Sequence, residues 1–311
     1  TSVAVVAGNI DLANASVQSA GWLKLQTTQG ELNLTATQVK AAGDATLQSA
    51  GALNLTAQKH EAHVVRGDGS KKDEVKFETT NIQAGGKATL TSAGDLTAQG
   101  STITAGQDLK LQSTGGRVQL QAVTNTEDVT VKSTARTSGF VIQDTESQEG
   151  SSSLLSVLRQ STTTQKLSQS QTQDSVGVTL QSGGSTQVQG AQDVTLQGTQ
   201  IQAGQNIQLQ SDQGSVQLQA ITDIQNTQEQ TKSTTQTRGF FGRLIQQNLD
   251  GPDTQNSQIN HAEQSLQGVR LQSGGSTQIQ AAKDIAAQSL QVQANQNAQL
   301  QAGGQLTLDS S

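Results

Sequence analysis

TITAGQDLKLQSTGGRVQLQA, residues 102–122, decides how the rest of the chain is read. Leu109 and Leu111 alternate with Lys110 and Gln112, and Val118 and Leu120 alternate with Gln119 and Gln121. A period of two puts the apolar residues on one face of a strand and the polar ones on the other. Gly106 and Gly115–Gly116 stand before the two runs, and glycine suits the tight corners that would join them. The phrase returns as TQIQAGQNIQLQSDQGSVQLQA (199–220), where Ile103 aligns with Ile201, 98 positions on, and Leu120 with Leu218, without a gap. A shorter period of about twenty residues runs beneath it, in the range of solenoid repeats. SAGWLKLQTTQGELNLTA (19–36), AAGDATLQSAGALNLTA (41–57) and GAQDVTLQGTQIQAG (190–204) are examples, each reading as two or three short strands.

Composition narrows what such strands can build. The 311 residues are 32% hydrophobic, 2% aromatic and 14% charged, against a typical ~45–50% apolar and ~25% charged. The core must therefore be narrow and filled by Leu, Val, Ile and Ala. Disorder is the alternative for a polar, glycine-rich chain, but the in-register apolar pairs and the single proline, Pro252, argue for order. Stacked copies of the strand unit bury a continuous apolar column that one copy cannot. The expected fold is all-β, a parallel (right-handed) β-helix solenoid with projecting hairpin or loop insertions. An outer-membrane barrel would need aromatic girdles, and this chain has no Tyr, one Trp and four Phe. A sandwich would need hairpin turns and a bulkier core. Roughly 180–190 residues of coil at about twenty per turn make about nine turns. At ~4.8 Å between strands the rod is on the order of 45 Å long.

Residues 1–311 thus read as one rod segment, interrupted at about 58–80, 123–177 and 221–268. The first interruption resembles two strands joined by the turn RGDGSKKD, a projecting hairpin. The second and third are related, since KSTARTSGFVI and KSTTQTRGFFGRLI each follow a QLQA strand, and their lengths differ by seven residues. Within them LLSVLRQ (154–160) and FFGRLIQQNL (240–249) are the most apolar stretches outside the rod, with spacing partly that of a short amphipathic helix. Such stretches either fold back to shield a rod face or present Phe140, Leu154, Leu155, Phe240 and Phe241 to a partner or membrane; shielding is the expected role because exposed apolar patches are uncommon. Thr1 and Ser311 both fall inside repeats, so the chain reads as an excerpt of a longer polypeptide. Its open terminal coils would then allow end-to-end self-association.

Little in the sequence points to catalysis or cofactors. Asp44, Asp95, Asp108, Asp193 and Asp284, with Asn9, Asn206 and Asn297, recur at a corner position, where Asp and Asn interchange as turn caps. Glycoside hydrolysis would need two carboxylates at a set separation; an enzyme is a distant third reading. His60 and His63 would point to opposite faces of a strand and no third ligand is spaced for a metal, so no metal or cofactor is expected. Cysteine is absent. The net charge of −6, without a basic stripe, gives no footprint for nucleic acid. Arg66-Gly67-Asp68 spells the tripeptide that integrins recognise, in a sequence that is also ordinary turn chemistry. Trp22 precedes the inward Leu23 and should face outward.

TITAGQDLKLQSTGGRVQLQAVTNTEDVTVKST and TQIQAGQNIQLQSDQGSVQLQAITDIQNTQEQTKST resemble the hemagglutinin repeat of filamentous-hemagglutinin-type exoproteins, including contact-dependent growth inhibition effectors of the CdiA type. The resemblance covers most of the chain, interruptions included. It implies a very long Gram-negative protein, exported by an outer-membrane two-partner transporter and folding as a β-helical filament on the cell surface. It further implies one of two tasks. As part of a growth-inhibition effector, the segment would help a C-terminal toxin cross the target cell's outer membrane; as an adhesin stalk, it would engage a surface receptor. No catalytic residue is carried over, since the repeat has none.

Overall fold

The computed structural model describes residues 1–144, 155–239 and 253–310. Each turn of the coil holds three short strands, as in Thr102–Ala105, Leu109–Ser113 and Val118–Gln121. Corresponding strands of successive turns pair in parallel and in register, giving a leading sheet of eight strands and middle and trailing sheets of nine. The described chain is all β, and its three parallel stacks form the expected β-helix.

The alternation does what its period requires. Leu25, Leu47, Leu90, Leu111, Val188, Leu209 and Ile279 form one buried column inside the middle sheet. Polar residues of the middle and trailing sheets face outward and stack on like residues one turn away: Gln112 donates to Gln189 at 3.2 Å in the first, and Asn54 to Asn33 at 2.7 Å and Gln197 to Gln219 at 3.0 Å in the second. Parallel in-register stacking places identical amides one strand spacing apart, and such ladders add to sheet cohesion. Glutamine is therefore abundant because it suits the outside of the coil.

The stack, more than the strand, creates burial. Leu308, in the terminal turn, lies in the same column as Leu120, Leu196 and Leu218, yet Leu308 is 61% exposed and Leu218 1%.

The recurring Asp and Asn residues act between turns. The Oδ1 atoms of Asp44, Asp95, Asp108, Asp193, Asn206 and Asp284 accept from the amides of Lys87, Arg117, Ser185, Ser215, Ser276 and Gln305, at 2.7 to 3.0 Å. Each of those amides belongs to the next turn. The sequence expectation of a local cap is corrected: the side chain ties one coil to its neighbour. These residues also divide between two corners, with Asp44, Asp108 and Asn206 before the middle sheet and Asp95, Asp193 and Asp284 before the trailing sheet. The Ser185 amide, then Lys87 at 3.1 Å, holds the Asp108 carboxyl below its ordinary pKa.

The third corner, from trailing back to leading sheet, positions everything outside the rod. Where the chain turns directly it uses a left-handed residue: Asn14, Ala36, Gly100, Gly198 and Ser289, with φ between 46° and 54°. The interruptions leave from this same corner after Leu53–Thr56, Val118–Gln121 and Val216–Gln219, the third, fifth and seventh strands of the trailing sheet. They are thus spaced two turns apart.

Candidate functional site

The three interruptions form one structure. Gln58–Val65 and Lys71–Glu78 make a first antiparallel hairpin, as the sequence suggests. Val123–Asp144 pairs with Leu155–Val176 along its whole length as a second, and Ile221–Gly239 pairs with Asp253–Gln267 as a third. The hairpins then pair with one another, Lys71–Val75 against Thr126–Thr130 and Leu158–Gln173 against Ile224–Gly239, to give a six-stranded antiparallel sheet standing off the rod.

Spacing explains why they meet. A hairpin contributes two strands, which occupy ~9.6 Å at the usual ~4.8 Å separation. Two turns of the coil rise by the same ~9.6 Å, because they too are stacked by strand pairing. One hairpin every second turn therefore lands beside the last with no gap and no crowding. At ~3.4 Å per residue, the 22-residue strands of the second hairpin reach on the order of 70 Å from end to end, longer than the rod's stack of turns.

At its root the sheet is locked to the rod. Val123 is buried, and a methyl group on Gly100 would lie 2.7 Å from its Cγ2; on Gly198 it would lie 2.2 Å from Ile221 Cδ1. Glycine at these two corners thus meets both the left-handed φ and the close passage of the next strand. Asp223 adds a polar clasp, accepting from the Ser175 amide at 2.7 Å and from the Gln267 side chain.

Among the sheet residues whose side chains are described, no apolar one past Val123 is buried. The faces carry rows of Thr, Ser, Gln and Asn, such as Thr162 bonded to Thr235 at 3.2 Å. A shallow depression of about 540 Å³ crosses four strands at Thr130, Gln169, Gln228 and His261. The joint between first and second hairpins is charged instead. Asp73 and Glu74 face Asp128 and Glu127, and Lys72 Nζ sits 3.3 Å from Glu74 and 3.2 Å from Glu127. Glu127 and Glu74 hold the Lys72 ammonium above its ordinary pKa, and Lys76, ahead of Lys72, lowers that of Glu74.

Of the sequence candidates, Arg66, Gly67, Asp68, Phe140 and Leu155 belong to this sheet or its first turn. Arg66, Gly67 and Asp68 are exposed at the end of the first hairpin. Asp68 accepts from the Ser70 amide at 2.8 Å, which, with the Ser70 side chain and then Arg66, lowers its pKa. Ser70 Oγ in turn accepts from the Lys132 amide at 3.1 Å, so the tripeptide is pinned against the side of the longer second hairpin. Phe140, 66% exposed, and Val141 lie further out on that same strand, with Phe140 roughly 27 Å beyond Lys132 at ~3.4 Å per residue.

The stretch 155–160 is extended strand paired to 139–144, not an amphipathic helix folded back over the rod. The expectation of shielding is corrected for this stretch: it continues the ladder of the second hairpin, opposite the outgoing strand residue by residue, and its backbone is held in that sheet instead of against a rod face. Leu155 stands opposite Asp144 in that register; Leu154, Phe240 and Phe241 lie outside the described residues. Trp22 is half exposed at a corner, facing outward as expected. His60 and His63 have separate partners, Glu78 at 3.4 Å and Asp73, and His261 contacts Glu263 at 2.9 Å. Among the described residues no group of three or more potential ligands could hold a metal ion.

A family model for the hemagglutinin repeat matches residues 9–66, 65–192 and 158–311, which takes in rod and projecting sheet alike. Neither a curated protein nor a solved structure matches the chain.

Proposed function

The chain belongs to the hemagglutinin-repeat family, and from that premise we propose that it is a filament segment of a secreted exoprotein at the surface of a Gram-negative bacterium, in which the rod is the spacer and the lateral sheet the working surface. The setting that fits best is the repeat region of a contact-dependent growth inhibition effector, helping a C-terminal toxin pass the target cell's outer membrane after export by a two-partner transporter. One observation carries this reading: all insertions leave from a single corner and fuse into one long sheet, where a plain spacer would need only the coil. The strands exceed the ~9–11 residues that cross a bilayer, but both faces are polar, so the sheet suits contact with protein or glycan surfaces and not burial in lipid as it stands.

The structure supplies a clean excision for the test. Removing 122–176 and 220–267 leaves Gly177–Val178 and Gly268–Val269 as corners, the same length as Gly100–Ser101 and Gly198–Thr199. In the parent exoprotein this change should preserve export and the filament and abolish killing of target cells in co-culture; undiminished killing would overturn the reading. A second reading, the adhesin stalk, is favoured by the exposed Arg66-Gly67-Asp68 turn. There, Asp68→Glu should lower host-cell attachment, and unchanged attachment removes the tripeptide from consideration.

A further inference from the structure

The two edges of the projecting sheet are finished differently. Gln58–Val65 carries Lys59, His60, Glu61 and His63 within eight residues, the kind of charged edge that discourages further pairing. Asp253–Gln267 closes the other side of the strand order, and every residue from Asp253 to Leu266 is exposed. It has no Lys, Arg or Pro, and Asp253, His261 and Glu263 are its only titratable residues. Among the described residues no strand lies along its outer row of backbone amides and carbonyls.

Strands of this composition already pair here without a connecting turn. Leu158–Gln173 and Ile224–Gly239 come from different hairpins and run together unbroken, through Thr162 opposite Thr235 and Gln169 opposite Gln228. The outer edge of Asp253–Gln267 offers the same backbone and the same Ser, Thr, Asn and Gln side chains.

We infer that this edge pairs, antiparallel, with the same strand of a second copy, about a two-fold axis at Ala262. In such an isologous contact residue i meets j and j meets i, so the axis fixes every pair. With Ala262 opposite itself, His261 of each copy faces Glu263 of the other, Asn260 faces Gln264 and Ile259 faces Ser265. An imidazole directly across from a carboxylate can donate to it, as His261 already meets Glu263 within one chain at 2.9 Å, and such a pair favours a register while two facing carboxylates oppose it. Moving the axis one residue sets His261 against His261 or Glu263 against Glu263. The contact continues the sheet sideways, is separate from stacking of rod ends, and stands whether the filament serves adhesion or toxin delivery.

Because the chain has no cysteine, single cysteines report the geometry. Opposed residues of an antiparallel pair have Cα atoms ~4.5–5.5 Å apart, within the span of a disulfide. Ala262→Cys should give a covalent dimer on mild oxidation, and Asn256→Cys, on the same strand, should form no covalent dimer, its copies lying ~40 Å apart in this register. In sedimentation, the unaltered chain should show a monomer–dimer equilibrium that Ala262→Lys weakens by about tenfold, two ammonium groups then meeting on the axis. A chain that sediments as a monomer at every concentration overturns the inference. So does a dimer indifferent to Ala262→Lys, as rod-end stacking would be, or cross-linking that is as efficient at 256 as at 262.

Discussion

Leu111 in the rod and Val131 in the projecting sheet both sit in strands that alternate apolar with polar residues, yet Leu111 is wholly buried and Val131 is 43% exposed. In the rod three parallel sheets enclose a bore, so the inward face of each strand meets two other walls. The projecting sheet has one layer and therefore no inside. Sheets without a covered face are marginal alone, and this one depends on its long registers, its cross-strand Thr and Gln pairs and its attachment at the rod. Backbone pairing extends a strand; only a second layer buries it.

The sharpest way to break this contrast is to truncate both residues. Leu111→Ala should cost roughly 2–5 kcal/mol, as for other fully enclosed leucines, whereas Val131→Ala should stay within ~0.5 kcal/mol, as for ordinary surface changes. Denaturant titration of the whole chain, with hydrogen exchange to localise the loss, compares them; equal losses would mean the sheet has a buried side.

A smaller effect is expected where the two regions join. Gly198→Ala introduces a methyl group at a φ of 51° and drives it into Ile221, for about 1–3 kcal/mol of backbone strain and crowding. Adding Ile221→Ala should recover the crowding part and leave the strain. If the double variant regains nothing, strand and corner are not coupled, and sheet and rod are independent bodies.

The smallest effect lies at the charged joint of the first and second hairpins. Lowered in the folded state, the Glu74 pKa contributes stability that is present above the ordinary carboxylate range and lost as pH falls through its folded value; Lys72, raised, contributes below the ordinary lysine range and is lost only in strong alkali. Amides of Thr126–Thr130 should therefore exchange faster in acid, after correction for the intrinsic rate, while those of Ile224–Gly239 hold steady. Lys72→Gln should loosen the same joint at neutral pH by leaving Glu74 opposed to Glu127. Exchange that does not change in either experiment would assign the joint to backbone pairing alone.

Much of this was legible in residues. Strand identity came from a period of two at Leu109, Leu111, Val118 and Leu120, and the turn count from the repeat of about twenty, because both depend on neighbours within a few positions. The first hairpin was legible for the same reason, with two short strands flanking a polar turn. The reach of Asp44 or Asp108 was not, since the amide it serves lies a full turn away or, across an insertion, farther still. The strand at 155–160 was misread as a helix face because its apolar spacing is ambiguous over so few residues, and its partner, 139–144, decides the matter. No local signal marks Asp253–Gln267 as an edge.

The sequence by itself determined the alternation, the repeat of about twenty residues and the places of the three interruptions, since these are written in spacing. Only the tertiary structure decided that the insertions become one sheet. Two strands side by side and two turns stacked have the same rise, both being set by the length of a backbone hydrogen bond across adjacent strands. That equality exists between assembled parts, and no single stretch of the chain contains it.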